Sequence, residues 1–238
     1  MHLEPPNVRL ESLKDFARHY LMIVLSILTA LGLEAWIEHS RHQHAAATAS
    51  AQIEAEIRQN RADIVREREH DFERMQALQK VRDMLLADIR SHASDDVIKQ
   101  HLQAATPDGL YLDWRWPVLR HEAWDVAVAN QSASWIDSER LHRYAAVYAA
   151  QNAASSMMAE DLPSLLDGPK MLDTIVDLQT DNLQPREVLH TVNQMASVTN
   201  EVTHFLDNLG VRIDTAMAGK ASAQPGIATA SPANSVTP

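Results

Sequence analysis

From Tyr20 to Ile37 the chain reads YLMIVLSILTALGLEAWI, about 18 residues with a single ionisable group. As a helix rising ~1.5 Å per residue this stretch reaches ~27 Å, close to the hydrocarbon thickness of a bilayer. The pattern predicts one transmembrane helix over 20–37. Tyr20 and Trp36 stand at its ends, where amphipathic rings favour the headgroup level. Glu34 lies about one turn from the end, where local water and helix tilt can solvate it. Ser26 and Gly32 are not at small-xxx-small spacing, so they supply only a weak seam for a helix dimer.

Beyond the anchor the period stays helical. Ala45 to Ser91 contains no Pro or Gly, and Ile53, Ile57, Ile64, Phe72, Met75, Leu78, Leu85 and Ile89 recur by threes, fours and their sums. Opposite them lie charges such as Arg66-Glu67-Arg68-Glu69. This predicts a long amphipathic helix that can continue the membrane helix. Asn60, Glu67 and Arg82 interrupt its apolar seam, so folding back on later helices satisfies the stripe as well as a coiled coil does.

Ser94-Asp95-Asp96 is an N-cap signal for a short helix to about Ala105, and Thr106-Pro107-Asp108-Gly109 carries turn chemistry. Leu110 to Trp116 reads as extended, and Pro117 as the first residue of a helix through Ala129. Gln131 to Ser134 connects to a helix capped by Asp137 or Ser138 and running to about Asp161. Pro163, Gly168 and Pro169 mark a bend. A helix follows over about 170–180, and Pro185 starts the last, with Val188, Val192, Met195, Val202, Phe205 and Leu209 as its apolar set. From Gly219 the chain is almost uncharged Ala, Ser, Thr and Pro, the composition of a disordered tail.

The expected organisation is a cytoplasmic amphipathic lead-in over 1–19, the transmembrane helix over 20–37 and a long stalk helix over 38–92. A helical bundle packing on the stalk follows over 93–218, then a tail over 219–238. The fold class is all-α.

Charges around the anchor set its orientation. Arg9, Lys14 and Arg18 precede it and only Arg41 follows closely, so the positive-inside rule keeps the N-terminus cytoplasmic and exports the C-terminal part. Leu10, Leu13, Phe16, Ala17 and Tyr20 recur at helical spacing, either as a surface-lying lead-in or as an extension of the spanning helix. The small residues of Ala45 to Ala51 offer signal-peptidase-like sites, but they lie beyond the usual distance from the apolar end and the apolar run is long for a signal peptide. An uncleaved anchor is the better reading.

Composition narrows the chemistry. The absence of Cys excludes a disulfide framework, a thiol nucleophile and thiolate metal sites. A net charge of −11 argues against general nucleic-acid binding. No Gly-rich phosphate loop, G-x-S-x-G or EF-hand loop occurs.

His121-Glu122-Ala123-Trp124-Asp125 comes nearest to a catalytic motif, but Asp125 stands where a zinc protease has its second His. A capped amphipathic helix is the simpler account. His39, His42 and His44 follow the membrane exit, where imidazoles serve as metal ligands, as a pH sensor or as plain interfacial polar residues. Four of the five Trp fall between Trp114 and Trp135. Trp114, Arg115, Trp116 and Arg120 are the candidate ligand-binding residues, for an anionic or aromatic ligand. The competing account is core filling, expected above all for Trp124 and Trp135.

Two stretches carry a resemblance. One is Ile27-Leu28-Thr29-Ala30-Leu31 with Trp36-Ile37-Glu38 and the charged helix after it. The other is Ala123-Trp124-Asp125, Gln131-Ser132-Ala133, Ile136-Asp137, Leu141 and Tyr144 to Tyr148. Together, over about residues 10 to 150, they resemble a group of uncharacterised bacterial single-pass membrane proteins with an N-terminal anchor, a helical stalk and a Trp…Ser-Gly…Leu…Tyr pattern. Ser132-Ala133 departs from its Ser-Gly. The resemblance implies architecture and no catalytic residue.

The expected role is that of a non-enzymatic, membrane-anchored envelope protein acting by protein–protein contact, with an unidentified partner or by self-association, and without cofactor or metal. It would sit in a bacterial inner membrane with its C-terminal domain periplasmic. The alternative is a periplasmic ligand-sensing module using the Trp-rich region; a metal-dependent hydrolase on His121, Glu122 and Asp125 comes third.

Overall fold

The structure is a computed structural model of the chain, and it describes residues 10–161, 168–180 and 182–219. Among these, the regular elements are six α-helices and one 3-10 turn, with no strand. The helices are α1 (Leu10–Arg90), α2 (Asp95–Ala105), α3 (Glu122–Ala129), α4 (Ser138–Asp161), α5 (Gly168–Gln179) and α6 (Pro185–Met217), and the turn is Ser132–Trp135. Pro163 and the expected tail beyond Gly219 lie outside the described residues. The chain divides into two compact units, Met1–Gln52 with Ala123–Ile136 and Ile53–Glu122 with Asp137–Pro238.

In the first unit the charged turns before Tyr20 belong to the same unbroken helix as the apolar run. That run has a mean hydropathy of 1.9 over 18 residues, long and apolar enough to cross a membrane. Its side chains project outward all round: Leu21, Met22, Leu25, Leu28 and Trp36 are each more than half exposed. Farther along α1, Ala49 and Ser50 are buried, as are Ala127 of α3 and Ser132 and Ala133 of the turn. The run Ala45 to Ala51, which resembled processing sites, here forms a helix surface facing α3 and the turn across a cavity of about 260 Å³.

The second unit is built on the rest of α1. Ile53, Ile57, Ile64, Met75, Leu78 and Leu85 are buried as their spacing requires, while Phe72 and Ile89 are half-buried. Each full burial of such a side chain is worth ~1.5–3 kcal/mol relative to exposure. Leu78, Val81 and Leu85 pack with Ile98 and Leu102 of α2, with Leu110, and with Val188, Val192 and Met195 of α6. On α6 it is Leu206 that is fully buried, and Phe205 beside it only half.

Two bidentate ion pairs fix the register of α1 and α6. Arg61 meets Asp214 at 3.0 and 2.9 Å, and Arg68 meets Asp207 at 2.8 and 3.1 Å. The pairs are seven residues apart on both helices and run in opposite senses, so the helices are antiparallel with matched repeats. Gly210 gives Arg61 its room, since a Cβ there would lie 3.1 Å from the guanidinium carbon.

α4 begins where Asp137 caps it, its Oδ1 accepting from the amides of Glu139 and Arg140 at 3.1 and 3.2 Å. Tyr144, Val147, Tyr148, Gln151 and Met158 are buried on it, and the two phenols donate to Glu54 and Glu56 of α1 at 2.6 and 2.5 Å. Ser94 occupies the N-cap position of α2, but its hydroxyl makes no capping bond. Pro169 stands in the first turn of α5 rather than ending a bend before it.

Two expectations are corrected. The helix after the first Trp pair does not start at Pro117; the chain stays irregular from Leu110 to His121, and α3 begins at Glu122. Nor does Asn60 merely interrupt the seam, for it is fully buried in it together with Asp63 and Asp71. The same polar residues explain the late helix start, as shown below.

Because Ile64 is buried and Arg66 is exposed, Ile64→Lys is expected to cost several kcal/mol in chemical denaturation, by placing an unpaired ion in the core. Arg66→Gln removes an exposed guanidinium and leaves Arg120 on Asp63, so its denaturation midpoint should stay close to the parent's. Equal losses for the two variants would contradict the face assignment.

Candidate functional site

A segment without regular structure must still satisfy its peptide groups. Residues 110–121 do so against side chains of α1. Asn60 Nδ2 donates to the carbonyl of Arg120 at 2.7 Å, and the Arg120 amide donates back to Asn60 Oδ1 at 3.0 Å. One side-chain amide thus serves both peptide groups of one residue, as a neighbouring strand would. Asp71 Oδ1 accepts from the Arg115 amide at 2.8 Å, and Arg74 donates to the Tyr111 carbonyl while its guanidinium lies over the Tyr111 ring, 4.5 Å from the centroid. The segment is therefore a strap tied to one helix at Tyr111, Arg115 and Arg120. Pro117, buried between the last two ties, has no amide to place. A helix begun at Pro117 would need the peptide groups that α1 holds.

The ties differ electrostatically. Arg120 reaches Asp63 at 2.5 Å and, as the largest influence, holds its buried carboxyl below the usual aspartate range against the opposing effect of burial. Asp71 is fully buried, and burial pushes its carboxyl above that range despite bonds from His70 and the Arg115 amide. Its second oxygen has no hydrogen-bond partner among the described residues. His70 lies between Asp71, at 3.1 Å, and Asp113 of the strap, at 3.3 Å.

All four residues proposed for ligand binding sit on this strap. Trp114 and Trp116 are half-buried and the Arg115 side chain is exposed, its guanidinium 3.9 Å from Asp113. Arg120 already serves Asp63. None of the four lines the apolar cleft that the structure places next to them in sequence. That cleft, of about 400 Å³, lies between the end of α2, the Thr106–Gly109 turn, the start of the strap and α5. Leu102, Leu110, Tyr111, Ile175, Leu178 and Leu183 form its apolar walls, with Lys99 and Asp108 among its polar groups. Gly109 closes the turn at φ 91°, a conformation that disfavours other residues, and so carries the chain from α2 onto the cleft wall.

Sequence reasoning missed this cleft because its walls come from three separated stretches; only the Pro-Asp-Gly turn signals it. Trp124 is half-buried, and Trp135, expected in the core, is 50% exposed. Its ring stacks on His42 with centroids 3.6 Å apart and planes at 9°. Of the other two histidines, His39 accepts from the Gln43 amide at 2.8 Å and His44 borders the 260 Å³ cavity. His121, Glu122 and Asp125 are exposed at the start of α3, where Glu122 is held below its ordinary value first by its own backbone amide. Among the described residues no three His, Asp or Glu side chains are grouped to hold a metal ion.

No protein-family model, no curated protein and no solved structure matches this chain.

The two aspartates give opposite pH signatures. Asp63, with its native pKa depressed, contributes stability that is complete above ~4 and lost as pH falls through the native value. Asp71, with its native pKa raised, favours the fold below ~4, and that contribution is lost as pH rises through the native value. Asp63→Asn should therefore cost ~1.5–3 kcal/mol at pH 7 and converge on the parent in acid. Asp71→Asn keeps the acceptor for Arg115 and should match or exceed the parent at pH 7, with the advantage shrinking toward pH 4. Thermal midpoints at the two pH values check this; equal losses at pH 7 would contradict it.

Proposed function

We propose that this chain is a single-pass membrane protein with a cytoplasmic N-terminus and a periplasmic helical bundle that acts by contact with other proteins, without an enzymatic role. The observation that carries the reading is the apolar run of α1, whose side chains are exposed on every side among the described residues. Water solvates such a surface poorly, and lipid removes the cost. The basic bias before Tyr20 supports the orientation, and the resemblance to bacterial single-pass proteins supports the inner membrane. The face of α1 that meets α6 is occupied within the chain, which favours an unidentified partner on other surfaces over a stalk coiled coil.

One observation favours the second reading, a ligand-sensing module. The 400 Å³ cleft has the size and apolar character of small-molecule sites, with a few polar groups to orient a ligand. It shifts that reading from the Trp114–Arg120 segment to the junction of α2 and α5.

Fusions after Ala218 test the topology. Alkaline phosphatase placed there should be active, and a green fluorescent protein exported through the same route should stay dark. The reverse pair of results would overturn the orientation.

A further inference from the structure

Trp135 is a large apolar side chain left half exposed in a stretch, Val126 to Ile136, that holds no charged residue in a chain that is 22% charged. Its place is set by α1. Its ring stacks on His42, five residues beyond Ile37 and so ~7.5 Å along the helix axis from the end of the apolar run. Helical side chains lean toward the N-terminus, and His42 does so here, its Nε2 lying 2.8 Å from Glu38 Oε1 one turn back. The stacked rings therefore sit within about one turn of Ile37. The headgroup layer on each side of a bilayer is ~5–8 Å deep, the difference between total and hydrocarbon thickness shared by two faces.

Trp135 is held at this level by a built turn. Asn130 Oδ1 accepts from the Ser132 amide at 2.9 Å, and the carbonyls of Gln131 and Ala133 accept from the Ser134 and Ile136 amides at 3.1 and 3.2 Å. Trp36, 67% exposed at the close of the apolar run, and the exposed Arg41 mark the same zone on α1. An indole with one apolar face and one N–H donor suits that zone better than bulk water or hydrocarbon.

We infer that the Ser132–Trp135 turn is a foot resting on the lipid headgroup layer, with Trp135 entering it beside the emerging helix. The inference rests on the membrane-spanning reading of α1. The foot gives the protein a second contact with the bilayer.

The test uses the full chain in phosphatidylcholine–phosphatidylglycerol vesicles, with bromine placed shallow on the acyl chains as a quencher. Two single-tryptophan proteins, with the other four Trp changed to Phe, report on Trp36 and Trp135 separately. Trp36 should be strongly quenched, and Trp135 should show blue-shifted emission and about half the loss seen for Trp36. An unquenched Trp135 open to acrylamide, with Trp36 quenched, overturns the foot and leaves the anchor standing. If neither is quenched, the anchor fails and the foot with it. Because the chain lacks Cys, Ser134→Cys in the otherwise natural sequence, carrying a nitroxide, gives a second readout that needs no Trp replaced. The ratio of relaxation by oxygen to relaxation by a water-soluble nickel complex should be several-fold higher than for the same label at the exposed Gln76, and equal ratios overturn the proposal.

Discussion

The architecture of the second unit depends on three of the four polar side chains buried on its part of α1. Asn60, Asp63 and Asp71 occupy positions that Ile or Leu would fill if α1 packed only against other helices. Burying them without partners would cost several kcal/mol. Asn60 and Asp71 take peptide groups of an irregular strap and Asp63 takes its Arg120 guanidinium, so helix and strap satisfy one another except at the second oxygen of Asp71. That reciprocity fixes where the strap lies, delays α3 until Glu122, and sets the wall from which Leu110 and Tyr111 border the apolar cleft.

This division explains what the sequence discloses. The spacing of Ile53, Ile57, Ile64, Leu78 and Leu85 is a period, and a period survives in one dimension; so does that of Val188, Val192, Met195 and Val202. The helices they predict are present, and the apolar run before them is exposed as a membrane segment would be. Asn60 in a seam looks like a defect until the segment that bonds to it is known, and that segment lies some sixty residues away. Pro117 carries the same ambiguity, since it suits a helix start and an amide-free position in a strap equally well. The cleft depends on α5 and Leu183 meeting the Thr106–Gly109 turn, and Trp135 on a ring contact with His42. No local pattern encodes either meeting.

Charge placement follows the same logic at the α1–α6 contact. Arg61 and Arg68 stand at the edge of the seam rather than within it, half-buried and forked onto Asp214 and Asp207. Exposed pairs of this kind add little stability, but two of them at matched seven-residue spacing penalise a slipped register, in which both would be lost. The buried polar ties position the strap and the edge pairs position the last helix, while the apolar stripe supplies most of the free energy.

Hydrogen exchange at the Arg115 and Arg120 amides tests the reciprocal tie most directly. Both belong to a segment without regular secondary structure, where untied amides exchange at rates close to those of an unfolded chain. The account predicts protection at both sites in the parent protein, and selective loss at Arg120 in Asn60→Ala while the amides of α6 stay protected. Unprotected Arg115 and Arg120 in the parent, beside a protected α6, would contradict it.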